Sequence, residues 1–145
     1  MNLAALYQSE GKLSDAYKFY EQSLHLAKKI NHHYLTANLL SNLANLYILF
    51  GAAPEARTVL DESMQIATQH QLPYWLAYNE ILRGDLAFLQ NNFSSASTCY
   101  HKAFGLFEKQ KLKREQAIVT NNLFELGFYS QVSVQELEKL GHTPS

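Results

Sequence analysis

Histidine is the residue type in this chain best suited to binding a metal ion, and the sequence contains six. Three of them, His32, His33 and His70, lie near the ends of predicted helices. Neighbouring side chains on an α-helix point about 100° apart, so a tandem pair is poorly placed to chelate one ion. We therefore expect exposed or partly packed histidines, with no metal and no cofactor.

Other residues that could carry out catalysis are scattered. The six glycines occur singly, which argues against a phosphate-binding loop, and the sequence has no His-Glu-x-x-His pair and no nucleophile elbow. Glu80, Arg83 and Asp85 lie close together, and the i, i+3 spacing of Glu80 and Arg83 favours an ion pair on a helix surface. A specialised partner site is the alternative. The sequence predicts a protein that is not an enzyme.

Composition excludes several other classes of protein. Apolar residues make up 47% of the chain and charged residues 17%, which argues against intrinsic disorder. A net charge of −1 lacks the basic excess expected of a nucleic-acid-binding protein. No run of 18 apolar residues occurs, so we predict no membrane span and a cytoplasmic location, unless a longer parent protein carries a leader.

The sequence pattern that would position a functional site recurs with a period of 40 residues. Ala16, Ala56 and Ala96 follow this step. So do four leucines, namely Leu6, Leu46, Leu86 and Leu126. A fixed period between about 20 and 50 residues is typical of stacked-repeat proteins, which function through an extended surface.

Within each period, the apolar residues recur with helical spacing. The segments that begin near Ala16, Ala56 and Ala96 are predicted second helices. The predicted first helices are Tyr34–Phe50, Tyr74–Gln90 and Lys113–Tyr129. Connections of two to four residues favour antiparallel neighbours, so the pattern predicts an all-α array of helical hairpins.

The residues that define this array resemble the tetratricopeptide repeat. The signature is clearest in Asn42–Tyr47, followed by Gly51, Ala56 and Leu60. The period exceeds the usual value of about 34 residues, and is similar to the long-helix variants of kinesin light chains, spindle-orientation adaptors and bacterial regulatory proteins. The resemblance implies a right-handed α-solenoid of stacked antiparallel hairpins, with about 3.5 repeats.

The repeats are predicted to span approximately 1–31, 32–71, 72–111 and 112–145 of a single array. The first repeat is truncated relative to the others. The last is short and cap-like, because Ser133 and Glu136 form a capping box that predicts the start of a short final helix. The uncovered N-terminal edge is a candidate surface for self-association.

In the family that this chain resembles, the first helix of each pair lines a concave groove. Carrying those positions over residue by residue implies a partner-binding set of nine residues: Asn38, Ser41, Asn45, Tyr78, Asp85, Phe88, Asn121, Glu125 and Phe128. Carboxyl and amide groups stand where co-chaperones of the family have cations, so we expect a protein or peptide ligand that is neutral to basic and partly apolar. We expect no nucleic-acid or membrane partner.

Two functions are therefore compatible with the sequence. The first is a non-catalytic protein–protein interaction module that binds a peptide or helix in its groove and forms part of a larger protein. The alternative is a regulatory sensor domain of a bacterial signalling or transcription-regulatory protein. The segment Pro73–Ala77 is similar to a short stretch found in such sensors.

Overall fold

The computed structural model describes the backbone of residues 10–139 and the side chains of residues 14–129. This part of the chain forms six α-helices and no strand, and none of these helices is long and apolar enough to cross a membrane. The helices are α1 (Glu10–Lys29), α2 (His33–Leu49), α3 (Ala53–Gln69), α4 (Pro73–Leu89), α5 (Phe93–Lys109) and α6 (Lys113–Lys139).

The five turns between these helices share one backbone geometry. Each contains one residue with φ between 52° and 71°, namely Asn31, Gly51, Gln71, Asn91 and Lys111. In each turn the next amide donates to the carbonyl oxygen five positions earlier, at 2.8–3.0 Å. This bond satisfies a carbonyl group that the end of a helix leaves without a partner. The same turn therefore reverses the chain five times and produces regular antiparallel hairpins.

The hairpins pack through small residues that recur in the sequence. Ala56 and Ala96 are fully buried in α3 and α5. Ala44 of α2 and Leu60 of α3 share one core cluster with Leu82 of α4, so the next hairpin stacks on the first. The predicted all-α solenoid of stacked hairpins is confirmed, and α2 and α4, the first helices of successive hairpins, pack against each other.

Ala56 provides a test of this packing. Ala56→Leu adds three carbon atoms at a position with no free space, so we expect it to lower the free energy of unfolding by about 1–3 kcal/mol. The matched control is Gln65→Leu, because Gln65 is exposed on the same helix. Urea denaturation of both variants measures the difference. Equal midpoints would contradict the position assigned to Ala56.

The predicted short final helix is wrong. The backbone stays helical from Lys113 to Lys139, so Ser133 lies inside α6 and does not begin a new helix. Gln131 takes the place that Gly51 and Asn91 occupy in the two equivalent turns. Residue type alone does not explain why the helix continues, because Gln71 adopts positive φ in another of the five turns.

The predicted self-association edge lies partly outside the described residues, which exclude residues 1–9. Phe19 and Leu26 on α1, and Ile30 directly after it, are exposed. Their equivalents 40 residues later, Val59, Ile66 and His70, are half-buried, since each of them has neighbouring helices around it. Self-association through this edge stays a prediction.

Candidate protein-binding surface

The first helices of the hairpins, α2, α4 and α6, carry all nine residues of the predicted groove. Asn45, Asp85 and Glu125 occupy the same repeat position on successive first helices, and we call them the polar row. Asn45 and Asp85 are half-buried, and Glu125 is exposed. The row therefore becomes more acidic and more accessible towards α6.

Asp85 is the most strongly perturbed carboxyl group of the described residues. Its Oδ1 accepts a hydrogen bond of 2.5 Å from the Tyr100 hydroxyl on α5. The pKa of Asp85 is raised to about 6: burial has the largest effect, the hydrogen bond from Tyr100 lowers the pKa, and the charge of Glu125 raises it. Burial and the nearby Asp85 carboxylate raise the pKa of Tyr100, so the hydroxyl remains a donor.

The raised pKa of Asp85 makes the stability of the fold depend on pH. A carboxyl group whose pKa is higher in the folded than in the unfolded chain favours folding when it is protonated. Asp85 therefore supports the fold fully at acidic pH, and that contribution is lost as the pH rises through about 6. At neutral pH the protein holds a half-buried negative charge, which a cation beside it would stabilise.

A glycine allows the contact between Tyr100 and Asp85. The Tyr100 ring lies directly over Gly84, and a Cβ atom at Gly84 would overlap the ring carbons. Gly84 is thus required for the close approach of α4 and α5 that brings the Tyr100 hydroxyl to Asp85. The sequence analysis did not identify the hydrogen bond that depends on this approach.

Asn121 and Glu125 are both exposed on α6. The Asn121 amide donates to Glu125 Oε1 at 3.5 Å, which is a long and weak contact. Neither side chain is held in place by burial. Both remain free to rearrange around a ligand.

Aromatic side chains continue this surface between α4 and α6. Phe88 is half-buried and lies 5.6 Å from Phe93 and 5.4 Å from Tyr129, measured between ring centroids. Phe128 and Tyr129 are 5.8 Å apart and both are more than half exposed. Aromatic residues are enriched at surfaces that bind protein partners.

The amides of α2 interact with each other. Asn42 Nδ2 donates to Asn38 Oδ1 at 2.7 Å, and both side chains are half-buried. Asn42 was not in the predicted set, although its i, i+4 spacing from Asn38 could have indicated the pair. The two amides of Asn38 and Asn42 therefore form one hydrogen-bonded pair on α2.

Ser41 does not contribute to the surface. It is fully buried, and its hydroxyl donates to Asn79 Oδ1 at 2.6 Å and lies 2.9 Å from Ser63 Oγ. Asn79 Nδ2 donates in turn to Ser63 Oγ at 3.0 Å, and Ser63 donates to the Ala37 carbonyl oxygen. We call these three side chains the polar layer. Burial removes Ser41 from the partner-binding set.

Tyr78 lies mostly in the interior. Its ring packs edge-on against Trp75 with a centroid distance of 5.5 Å and stacks on Tyr74 at 6.2 Å. Burial raises the pKa of the Tyr78 hydroxyl. The ring therefore supports the surface from below, with only part of its area available to a partner.

These helices match a known protein family. Residues 1–69 match the family model described as tetratricopeptide repeat. Over those residues the chain is similar to the tetratricopeptide repeat family. Searches of curated proteins and of solved structures gave no match. Tetratricopeptide repeats are generally non-catalytic modules for protein–protein interaction, which agrees with a surface made of amides, carboxyl groups and aromatic rings.

Two other groups of residues that could carry out chemistry have structural explanations. His33 and His70 stack face to face with ring centroids 3.5 Å apart, and His32 Nδ1 accepts a hydrogen bond from the amide of Leu35 at the start of α2. Parallel stacked rings do not direct their nitrogen atoms at a common ion. Among the described residues no group of three or more potential ligands could hold a metal.

Glu80 forms the predicted ion pair with Arg83, at 3.2 Å, and a longer one with Lys102 of α5, at 3.5 Å. Glu80 itself is buried, whereas the sequence suggested a surface pair. A buried carboxylate with two cationic neighbours on two helices holds α4 and α5 together. Glu80 and Arg83 thus have a structural role in the hairpin.

Proposed function

We propose that this protein is a non-catalytic interaction module that binds a basic, partly apolar peptide or helix across α4 and α6. Asp85 is the observation that supports the proposal most strongly, because a half-buried carboxylate beside Glu125 favours a cation as its neighbour. Phe88 and Tyr129 supply adjacent aromatic area for the apolar part of the ligand.

Amide groups support recognition of the ligand main chain. Asn38 and Asn42 on α2 carry donor and acceptor groups, and Asn45 adds another at the start of the polar row. Asparagine amides can pair with both the N–H and the C=O of an extended backbone. In this proposal the amides position the ligand and the carboxyl groups select its charge.

The affinity for a basic peptide should depend on pH, because it depends on whether Asp85 is ionised. A bound lysine or arginine favours ionised Asp85, so binding expels a proton whenever the pH is near or below the pKa of the free protein, about 6. We expect affinity to fall as the pH is lowered through that value. Isothermal titration at about pH 7.5 and about pH 5 measures the change.

The experiment uses immobilised short peptides in which leucine and phenylalanine alternate with lysine, and a matched series with glutamate in place of lysine. We expect the lysine series to bind and the glutamate series to fail. Asp85→Asn keeps the shape of the side chain and removes its charge, and should weaken binding about tenfold. Gln65→Ala on α3 is the control and should leave the affinity unchanged.

Two results would overturn the proposal. One is preferential binding of the glutamate series. The other is equal affinity of Asp85→Asn and the unmodified protein for the lysine series at every pH.

A further inference from the structure

Two histidine rings join the turn before α2 to the turn after α3. His33 is the first residue of α2, and His70 directly follows the last residue of α3. Their rings stack with centroids 3.5 Å apart and planes inclined by 9°. Both side chains are half-buried. The stack therefore connects two turns that the sequence places far apart.

Protonation of both rings would oppose this contact. A histidine side chain gains a positive charge as the pH falls from about 8 to about 5. Two charged rings 3.5 Å apart would repel each other, and partial burial reduces the screening of that repulsion by water. Lys28 of α1 lines the same surface pocket as both rings and brings a further positive charge. The stack is therefore favoured at neutral pH and opposed at acidic pH.

The other charged groups on the surrounding helices do not offset this repulsion. Glu62 of α3 forms an ion pair with Lys28, with Oε1 2.5 Å from Nζ, so this carboxylate already has a cation beside it. Lys29, the last residue of α1, is also basic. The first turns of α2 and α4 contain no acidic residue. New positive charge on the stacked rings thus meets basic residues on α1 and no free carboxylate at the start of α2 or α4.

His32 makes a second contact that depends on its protonation state. Its Nδ1 accepts a hydrogen bond of 3.1 Å from the backbone amide of Leu35 and caps the start of α2. A ring nitrogen accepts a hydrogen bond only when it carries no proton. Protonation of His32 at Nδ1 removes the cap, so acid weakens the first turn of α2 as well as the stack.

The next repeat forms the equivalent junction without a histidine. Pro73 and Gln110 stand 40 residues after His33 and His70. The Gln110 side chain donates from Nε2 to the Pro73 carbonyl oxygen at 3.0 Å. A glutamine amide does not change its charge in the pH range in which histidine does. The two junctions should therefore respond differently to acid.

We propose that the stack of His33 on His70 is a pH-sensitive contact that opens in acid and frees the start of α2 from the end of α3, while the equivalent junction of the next repeat stays closed. The contact is present at neutral pH and is lost as the pH falls, because protonation adds the charges that oppose it. Asp85 responds in the opposite sense, since it supports the fold most at acidic pH. The inference therefore does not depend on the proposed peptide site.

Amide hydrogen exchange of the full chain, measured by NMR at about pH 7 and about pH 5, tests the proposal. Leu72 and Leu112 donate equivalent backbone hydrogen bonds, of 2.9 and 3.0 Å, in the turns that follow His70 and Gln110. After correction for the intrinsic pH dependence of exchange, the protection of Leu72 should fall by about tenfold in acid relative to that of Leu112. Equal changes at the two amides would overturn the inference.

His70→Gln copies the residue of the next repeat and removes one of the two charges. In this variant the protection of Leu72 should no longer fall in acid relative to that of Leu112. The matched control is His101→Gln, because His101 is exposed on α5 and its Nδ1 contacts only Ser97 of the same helix. The control should keep the acid response of Leu72. A full acid response in His70→Gln would contradict the inference.

His32→Asn tests the cap of α2 separately. Asparagine is a favoured N-cap residue, and Asn92 accepts from the amide of Ser95 in this way at the start of α5. The Leu35 amide should lose protection in acid in the unmodified protein and keep it in His32→Asn, whereas Ser95 should be unaffected in both. If Leu35 still loses protection in His32→Asn, protonation of His32 is not the cause and this part of the inference is wrong.

Discussion

Asn79→Val should lower the free energy of unfolding by about 2–4 kcal/mol, the largest effect that we expect from a single substitution in this chain. Asn79 is fully buried and is the partner of both serines in the polar layer. Valine fills a similar volume but can neither accept from Ser41 nor donate to Ser63. Ser41 would lose the acceptor, and Ser63 the donor, that Asn79 supplies in a buried region.

The chain itself provides the control for this prediction. Forty residues further on, the positions of Ser41, Ser63 and Asn79 are occupied by Ile81, Ala103 and Val119, which are all buried in one apolar cluster. We call these three side chains the apolar layer. The triple variant Ser41→Ile, Ser63→Ala, Asn79→Val copies the apolar layer into the first interface, and should recover most of the stability that Asn79→Val loses. Urea denaturation compares the two variants. A triple variant less stable than the single one would show that hydrogen-bond satisfaction does not govern this interface.

Gly84→Ala should lower the free energy of unfolding by about 1–3 kcal/mol, even though alanine favours a helix more than glycine does. The added Cβ overlaps the Tyr100 ring, so the ring must shift. That shift breaks the hydrogen bond to Asp85 and leaves a half-buried carboxylate without its donor. Thermal and urea denaturation at neutral pH measure the loss.

The preceding hairpin shows how the loss can be reversed. There the equivalent pair is Ala44 and Leu60, which pack together in the core. Gly84→Ala combined with Tyr100→Leu reproduces that pair, and we expect the double variant to be more stable than Gly84→Ala alone. The control uses Ala103→Gly, which changes a buried position of α5 away from the Gly84 contact. Adding Tyr100→Leu to Ala103→Gly should not raise the free energy of unfolding above that of Ala103→Gly alone. Equal stability of Gly84→Ala and the unmodified protein would contradict the assigned overlap.

The sequence predicted the hairpins because the small residues at their crossing points recur at a fixed step. Ala56 and Ala96 mark where two helices meet, and that information is local to each repeat. Ser41 was misplaced because its partner Asn79 lies 38 residues away in the next hairpin. Repeat position alone does not show which side chains fill an interface between hairpins.

Two further features, the raised pKa of Asp85 and the continuation of α6 past Ser133, could not be predicted from the sequence. The raised pKa of Asp85 depends on burial beneath neighbouring helices, which the residue type does not reveal. Ser133 has a local capping signal, but a cap forms only where the chain leaves the helix before it, and the backbone of α6 does not leave it. In both cases tertiary structure decides the outcome.

The polar layer also has a consequence for how the chain reaches its fold. A protein built from similar hairpins can misassemble by stacking the wrong neighbours together. If the hairpin of α2 and α3 stacked on α6, then Ser41 and Ser63 would meet Val119, which can replace neither the acceptor nor the donor that Asn79 supplies. Only α4 offers Asn79 at that place. The hydrogen bonds of the polar layer thus favour the native order of the hairpins over this misassembled order during folding.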